Sequence, residues 1–290
     1  MPLSASGPGV RVHRRPGPVI RNLIAALAAI LVVIVAAWIV LGSGQIRWHV
    51  VAEYMFAPVV LNGVKTTLVL TIVSFFGSLV LGTVLAAMRI SHNAVLKAIS
   101  ASYIWFFRGT PLLVQIVFWF NLGLFLPRIS LGSFSIATNN LINPTTAALL
   151  GLFLNVSAFM CEIIRGGLIS VDHGQTEAAL SIGLTPAQAL MRIVLPQAIR
   201  VIIPTAGNLA IDLLKSTSLV YVIGTREILG TTQSIAAQTF YVIEMLMVAS
   251  IWYLILVSIA STGQAWLERR LARGVATEVR ALANNKLKGV

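Results

Sequence analysis

The sequence predicts an all-α integral membrane protein with six transmembrane helices, and three observations carry that expectation. Of its 290 residues, 57% are hydrophobic and only 10% are charged, where ordinary soluble domains carry about 25%. The mean hydropathy is +0.89. The apolar residues fall in runs long enough to cross a bilayer, and the basic residues gather in alternate connecting segments. A soluble chain of this size exposes too much surface to hide so many apolar side chains, so lipid must solvate much of it.

Taken in chain order, residues 1–21 are rich in Pro and Gly and carry Arg11, Arg14, Arg15 and Arg21. They predict a basic cytoplasmic tail. The run 22–41 has no charge and would span about 30 Å as a helix, the thickness of the hydrocarbon core. It exceeds the roughly 7–15 residues of a signal-peptide core, so it reads as an uncleaved first span. Pro58 and Asn62-Gly63 precede a second span, Val59–Met88, which Arg89 ends. Ala98–Phe107 is aromatic and interfacial in character. Thr110-Pro111 then reads as a helix start, with Thr110 as N-cap, and the third span runs to Leu126, taking in part of Ala98–Phe107.

Pro127 to Asn143 forms an external loop, and Asn143-Pro144 opens the fourth span, Pro144–Ile164. Residues 165–200 are more polar. The fifth span, Val201–Leu214, is short, and Pro204 and Gly207 interrupt its start. Residues 215–237 are mixed and suit a re-entrant or external segment. Gln238–Leu267 is the sixth span, and residues 268–290 form a second basic tail.

The formal net charge is +12. With the N-terminus inside, 16 basic residues fall in cytoplasmic segments and five outside: Arg47, Lys65, Arg128, Lys215 and Arg226. This bias places both termini and the 165–200 loop in the cytoplasm. It also accounts for the charge without nucleic acid, since no basic soluble face is present. Cys161 is the one cysteine, so no intrachain disulfide forms. His13, His49, His92 and His173 lack metal-ligand spacing. No phosphate-cradling glycine loop is present, so ATP is not expected to bind this chain and no cofactor is implied.

Within 165–200, a short Ala-rich helix over Gln175–Ile182 should stop at Gly183 in a left-handed cap. Thr185 should cap a second helix, with Pro186 at its first position and Gln188 closing a capping box. Pro196 should end it. Such a pair makes a rigid knob outside the membrane, with Glu177 as a charged anchor and small side chains at Ala178 and Ala179 for close approach.

The spacing Glu177-Ala178-Ala179, Gly183, Ile193, Leu195-Pro196 resembles the cytoplasmic loop of binding-protein-dependent ABC importer permeases. Further segments resemble the polar amino-acid branch of that family: Phe107-Arg108-Gly109-Thr110-Pro111, Glu162 to Gly167, Leu195 to Ala198, and Lys215-Ser216-Thr217-Ser218-Leu219. Together they cover residues 59–267. The resemblance implies a five-helix type I importer permease core with one extra N-terminal helix, in a bacterial cell membrane. It implies that the loop docks on an ATP-binding subunit, present as a pair, and that ATP hydrolysis lies there and not in this chain. Further implied partners are an extracytoplasmic amino-acid-binding protein and a second permease subunit, identical or homologous. This chain has Phe159 where the branch usually has Tyr, and Ser216 where it often has Asp, which leaves the amino acid open.

Two polar stripes lie within spans at helical spacing: Asn155, Phe159 and Glu162 in the fourth, Asn208, Asp212 and Lys215 in the fifth. Ionisable groups there cost about 2.5–3.5 kcal/mol each, so they face a cavity or a partner. Two arrangements fit. An acid and a base on facing helices would match the two ends of an amino acid. Alternatively Asp212 pairs with Lys215 and Glu162 with Arg165. A carrier driven by an ion gradient is the alternative function, since broken spans with intramembrane charges suit it too.

Overall fold

The computed structural model describes residues 18–42, 44, 46–131 and 134–288. The expected N-terminal tail lies outside these up to residue 17. The chain divides into two compact units, residues 1–48 and 49–290.

The first unit holds helix α1, Pro18–Gly42, which covers the predicted 22–41 span. The second unit opens with a short helix α2, Trp48–Met55, and then α3, Pro58–Ile90. Pro58 starts α3 where a proline costs no hydrogen bond. Helices α4, Ala94–Gly109, and α5, Leu112–Phe120, are bent by 101° at Thr110-Pro111. A one-turn helix α6, Leu122–Phe125, follows.

The segment expected as a plain loop contains an antiparallel hairpin, β1 Arg128–Leu131 with β2 Phe134–Ala137, paired Arg128 to Ala137 and Ile129 to Ile136. The all-α expectation is corrected to that extent. Helix α7, Thr138–Leu141, leads into α8, Pro144–Ile169, which Asn143 caps by accepting from Thr146 N at 2.9 Å.

Helix α8 is the centre of the bundle. Of its most apolar stretch, 61% is buried, against 33% or less for the other candidate spans. Helix α3 lies against it through Gly82, where a Cβ would come within 2.8 Å of the Met160 side chain. Leu70, Ile116, Leu152, Leu213 and Val220 form one core, and Leu85, Met160, Cys161, Ala198 and Ile202 another.

Beyond α8 come helix α9, His173–Ser181, and the single turn α10, Pro186–Ala189. The sequence expectation that Pro196 ends the second helix is corrected. The chain runs on through a wide π-type turn, Leu190–Val194, straight into α11, Leu195–Ser216. In that turn Leu195 N donates to Leu190 O, five residues back. The wider turn moves aside the carbonyl that the Pro196 ring would otherwise strike.

Pro204 and Gly207 likewise lie inside an unbroken α11. Gln264 of the last helix donates to Pro204 O at 2.8 Å. The fifth span therefore starts earlier than Val201, within the continuous stretch Pro186–Ile223.

After a 3₁₀ turn, Thr217–Ile223, and left-handed Gly224, helix α12 covers Ile228–Thr239. Buried Glu227 caps it, accepting from Leu229 N, Gly230 N and Tyr253 OH at 2.6–2.8 Å. Phe240, left-handed at φ 60°, ends α12. The last helix, α13, runs Val242–Lys288, so it starts at 242 and not at Gln238. Among the described residues four helices are long and apolar enough to cross a membrane, or five spans if the bent pair α4–α5 is one.

Candidate functional site

The knob is built as its sequence dictates, with one face reassigned. Asp172 caps α9 by accepting from Gly174 N at 2.7 Å. Gly183 turns left-handed at φ +87°. Leu184 N then reaches Ala179 O at 3.1 Å and Gly183 N reaches Leu180 O at 3.0 Å, satisfying carbonyls that the helix end leaves open. Thr185 and Gln188 make the reciprocal box, Thr185 N to Gln188 Oε1 at 2.9 Å and Gln188 N to Thr185 Oγ1 at 3.3 Å.

Glu177 and Ala178 are exposed, but Ala179 is buried. Ala179 is thus corrected from a contact side chain to one packed inside the knob, because successive residues on a helix point about 100° apart. Ile193 and Leu195 are half-buried in and just after the π-type turn, and Pro196 is exposed.

Sequence reasoning missed the knob's apolar surface. Ile182 is 78% exposed, beside exposed Leu180 and Met191. The signal was present: an isoleucine, Ile182, directly precedes the helix-ending glycine in a polar loop. Above the knob lies an apolar cavity of about 610 Å³, lined by Ala86, Ile90, Ile164, Leu168, Leu190 and Val194 among others. Helix α11 carries the knob's end directly into the bundle.

Thr110 is corrected from N-cap to corner residue. Its hydroxyl donates back to Phe106 O at 2.8 Å and accepts from Gln115 Nε2 at 2.6 Å. Gln115 Nε2 also reaches Phe107 O and Thr110 O, both at 3.1 Å. Asn155 Nδ2 donates to Phe107 O at 2.9 Å and Gln115 Oε1 at 3.2 Å. Asn155 is buried, so it belongs to the lock on the α4–α5 corner and not to a path-lining stripe.

The other stripe residues stay accessible. Phe159 is exposed, with the Arg108 guanidinium 5.2 Å from its ring centroid. Glu162 accepts from Arg165 Nη2 at 2.7 Å and from Arg165 Nε at 3.3 Å. On α11, Val201, Thr205, Asn208, Asp212 and Lys215 form one exposed line, and Lys215 Nζ meets Asp212 Oδ1 at 2.7 Å. Each acid thus meets a base on its own helix, and the structure does not join the two stripes through charge. An exposed polar line in a span still needs water or another protein surface against it.

Comparison with known proteins adds three findings. The family described as binding-protein-dependent transport system inner membrane component matches residues 78–273. The arginine transport system permease protein of Corynebacterium glutamicum is 39% identical over 253 residues, 86% of this chain and 80% of that one. A probable amino-acid ABC transporter permease protein of Vibrio harveyi is 39% identical over 214 residues, 74% and 92% of the two chains.

Among solved structures, an amino acid ABC transporter matches with a TM-score of 0.67 at 32% identity, over 76% of this chain and 97% of that one. The methionine transporter in an inward-facing conformation shares the fold, with a TM-score of 0.58 at 22% identity.

Proposed function

From the chain's membership of the family of binding-protein-dependent transport system inner membrane components, we propose that it is the membrane-spanning permease subunit of an ATP-driven importer of polar amino acids. The ABC transporter descriptions of the Vibrio harveyi relative and of the solved amino acid transporter favour this over a carrier driven by an ion gradient.

The observation that carries the mechanical part is the knob. Two short helices, fixed by left-handed Gly183 and the Thr185–Gln188 box, present apolar Ile182 outside the spans and run unbroken into α11. A surface of that kind suits docking to a separate ATP-binding subunit, whose movement α11 would carry into the bundle. In this reading Glu177, Ala178, Gly183, Ile193, Leu195 and Pro196 form the coupling loop, with Ala179 as its internal packing. Half-buried Glu162 and exposed Phe159, Asn208, Asp212 and Lys215 line the path, covered by a second permease subunit, identical or homologous.

Six spans follow if α1 crosses the bilayer ahead of the five-span core, leaving both termini in the cytoplasm. An extracytoplasmic binding protein delivers the amino acid, and a pair of ATP-binding subunits drives the cycle. Purifying the assembled complex from its native membrane tests this. The expected co-purifying subunit is an ATPase, and Ile182→Asp should release it. A permease that purifies without any ATPase contradicts the assignment.

A further inference from the structure

One arginine on the proposed path, Arg108, rests on an aromatic ring and on no anion among the described residues. Phe159 lies fifteen residues into α8, about 22 Å from that helix's start, well inside the span. Glu162 and Arg165 follow it on the same helix within two turns. Arg165 takes the Glu162 carboxylate through two nitrogens. Arg108 is exposed and, among the described residues, makes no hydrogen bond or ion pair. Its partner is the face of Phe159, at 5.2 Å.

The Phe159 contact brings Arg108 alongside the span and not into the cytoplasmic segment expected from sequence, and a guanidinium there without a hydrogen-bonded anion is costly in lipid. A guanidinium resting on an aromatic ring keeps its in-plane N–H donors for a second partner. Those donors match the two oxygens of a carboxylate as a fork. Every α-amino acid carries one, whatever its side chain.

We propose that Arg108, held over Phe159, binds the α-carboxylate of the amino acid in transit. The subsite rests on the importer reading above and adds to it a specific requirement: the cargo needs a free carboxylate. Glu162, one turn deeper, stays with Arg165 until the cargo's cationic end competes for it.

The test is direct binding to the assembled permease–ATPase complex in lipid nanodiscs, without binding protein. The probes are L-arginine, L-glutamine and L-histidine, each against its own α-carboxamide, which removes only the carboxylate charge. The wild type should prefer the free acids. Arg108→Gln should lower that acid-over-amide preference about ten- to a hundred-fold, the loss of one charge-assisted hydrogen-bonding partner. Arg108→Lys keeps the charge without the fork and should fall in between. Phe159→Leu removes the platform and should weaken the preference with the guanidinium still present.

A structural role for Arg108 would lower acid and amide binding alike, and an unchanged preference in both Arg108 variants overturns the subsite. So does a wild type that imports amino acids on ATP yet binds none of the free acids. Failure of ATP-driven import itself would instead remove the importer reading beneath it.

Discussion

Gln264 of α13 donates its side-chain amide to the carbonyl oxygen of Pro204 in α11 at 2.8 Å, and to Glu268 Oε1 at the same distance. The contact crosses Gly207, where a Cβ would sit 1.7 Å from Gln264 Oε1. Proline and glycine, which the sequence suggests as breaks, are here the means by which α11 admits a polar clamp from α13. Gln264→Leu and Gly207→Ala should each loosen this pairing. One lost hydrogen bond is worth about 0.5–1.5 kcal/mol, so the unfolding midpoint of the assembled complex should drop by a few degrees. Unchanged midpoints in both variants would mean the clamp contributes nothing.

The knob's turn has open space around it. Nothing lies within 4 Å of a Cβ built at Gly183, while φ is +87°. Gly183→Val therefore acts through the backbone alone, at roughly 1–2 kcal/mol or more for a branched residue. Membrane insertion should survive, while transport and substrate-stimulated ATP hydrolysis fall together. Normal transport by this variant would separate the knob from coupling.

Asn155 and Gln115 hold the 101° corner between α4 and α5. Asn155→Ala removes the donor to buried Gln115 Oε1, at about 1–3 kcal/mol, while Phe107 O keeps Gln115 Nε2. The expected result is lower yield of assembled complex with an unaltered ranking of transported amino acids. A changed ranking with full yield would return Asn155 to the path.

Glu162→Gln keeps the side chain's shape and removes one charge from a pair that is 24% and 34% exposed. If the pair lines the path, transport per assembled complex should fall about ten- to a hundred-fold, the equivalent of 1.5–3 kcal/mol. Lys215→Met breaks the more exposed pair with Asp212 on α11 and should act in the same direction. Reduced assembly with an unchanged rate per complex would make both pairs structural.

Local chemistry decided which parts were legible in the sequence. The knob's stops were readable because left-handed glycine and the Thr185–Gln188 box act within a few residues. The spans were readable because lipid demands long apolar runs. The failures lie where three-dimensional geometry decides. Thr110 has an N-cap's sequence context, but Gln115 turns its hydroxyl back toward Phe106. Pro196 resembles a helix end, but a π-type turn five residues long absorbs it. Asn155 falls in line with Phe159 by spacing, yet the bent α4–α5 corner packs over it. Ala179 and Ala178 are neighbours in sequence and opposite in burial. Only Asn155's partners Phe107 and Gln115 are far along the chain; the other outcomes are local, but residue type alone does not fix them.

The measurement that bears most directly on the account is amino-acid uptake by sealed vesicles reconstituted with this chain, its ATPase subunit and its binding protein. Uptake should begin on adding ATP, stop when the ATPase subunit is left out, and persist when ion gradients are collapsed. Uptake by this chain alone, driven by a proton or sodium gradient and indifferent to ATP, would contradict it.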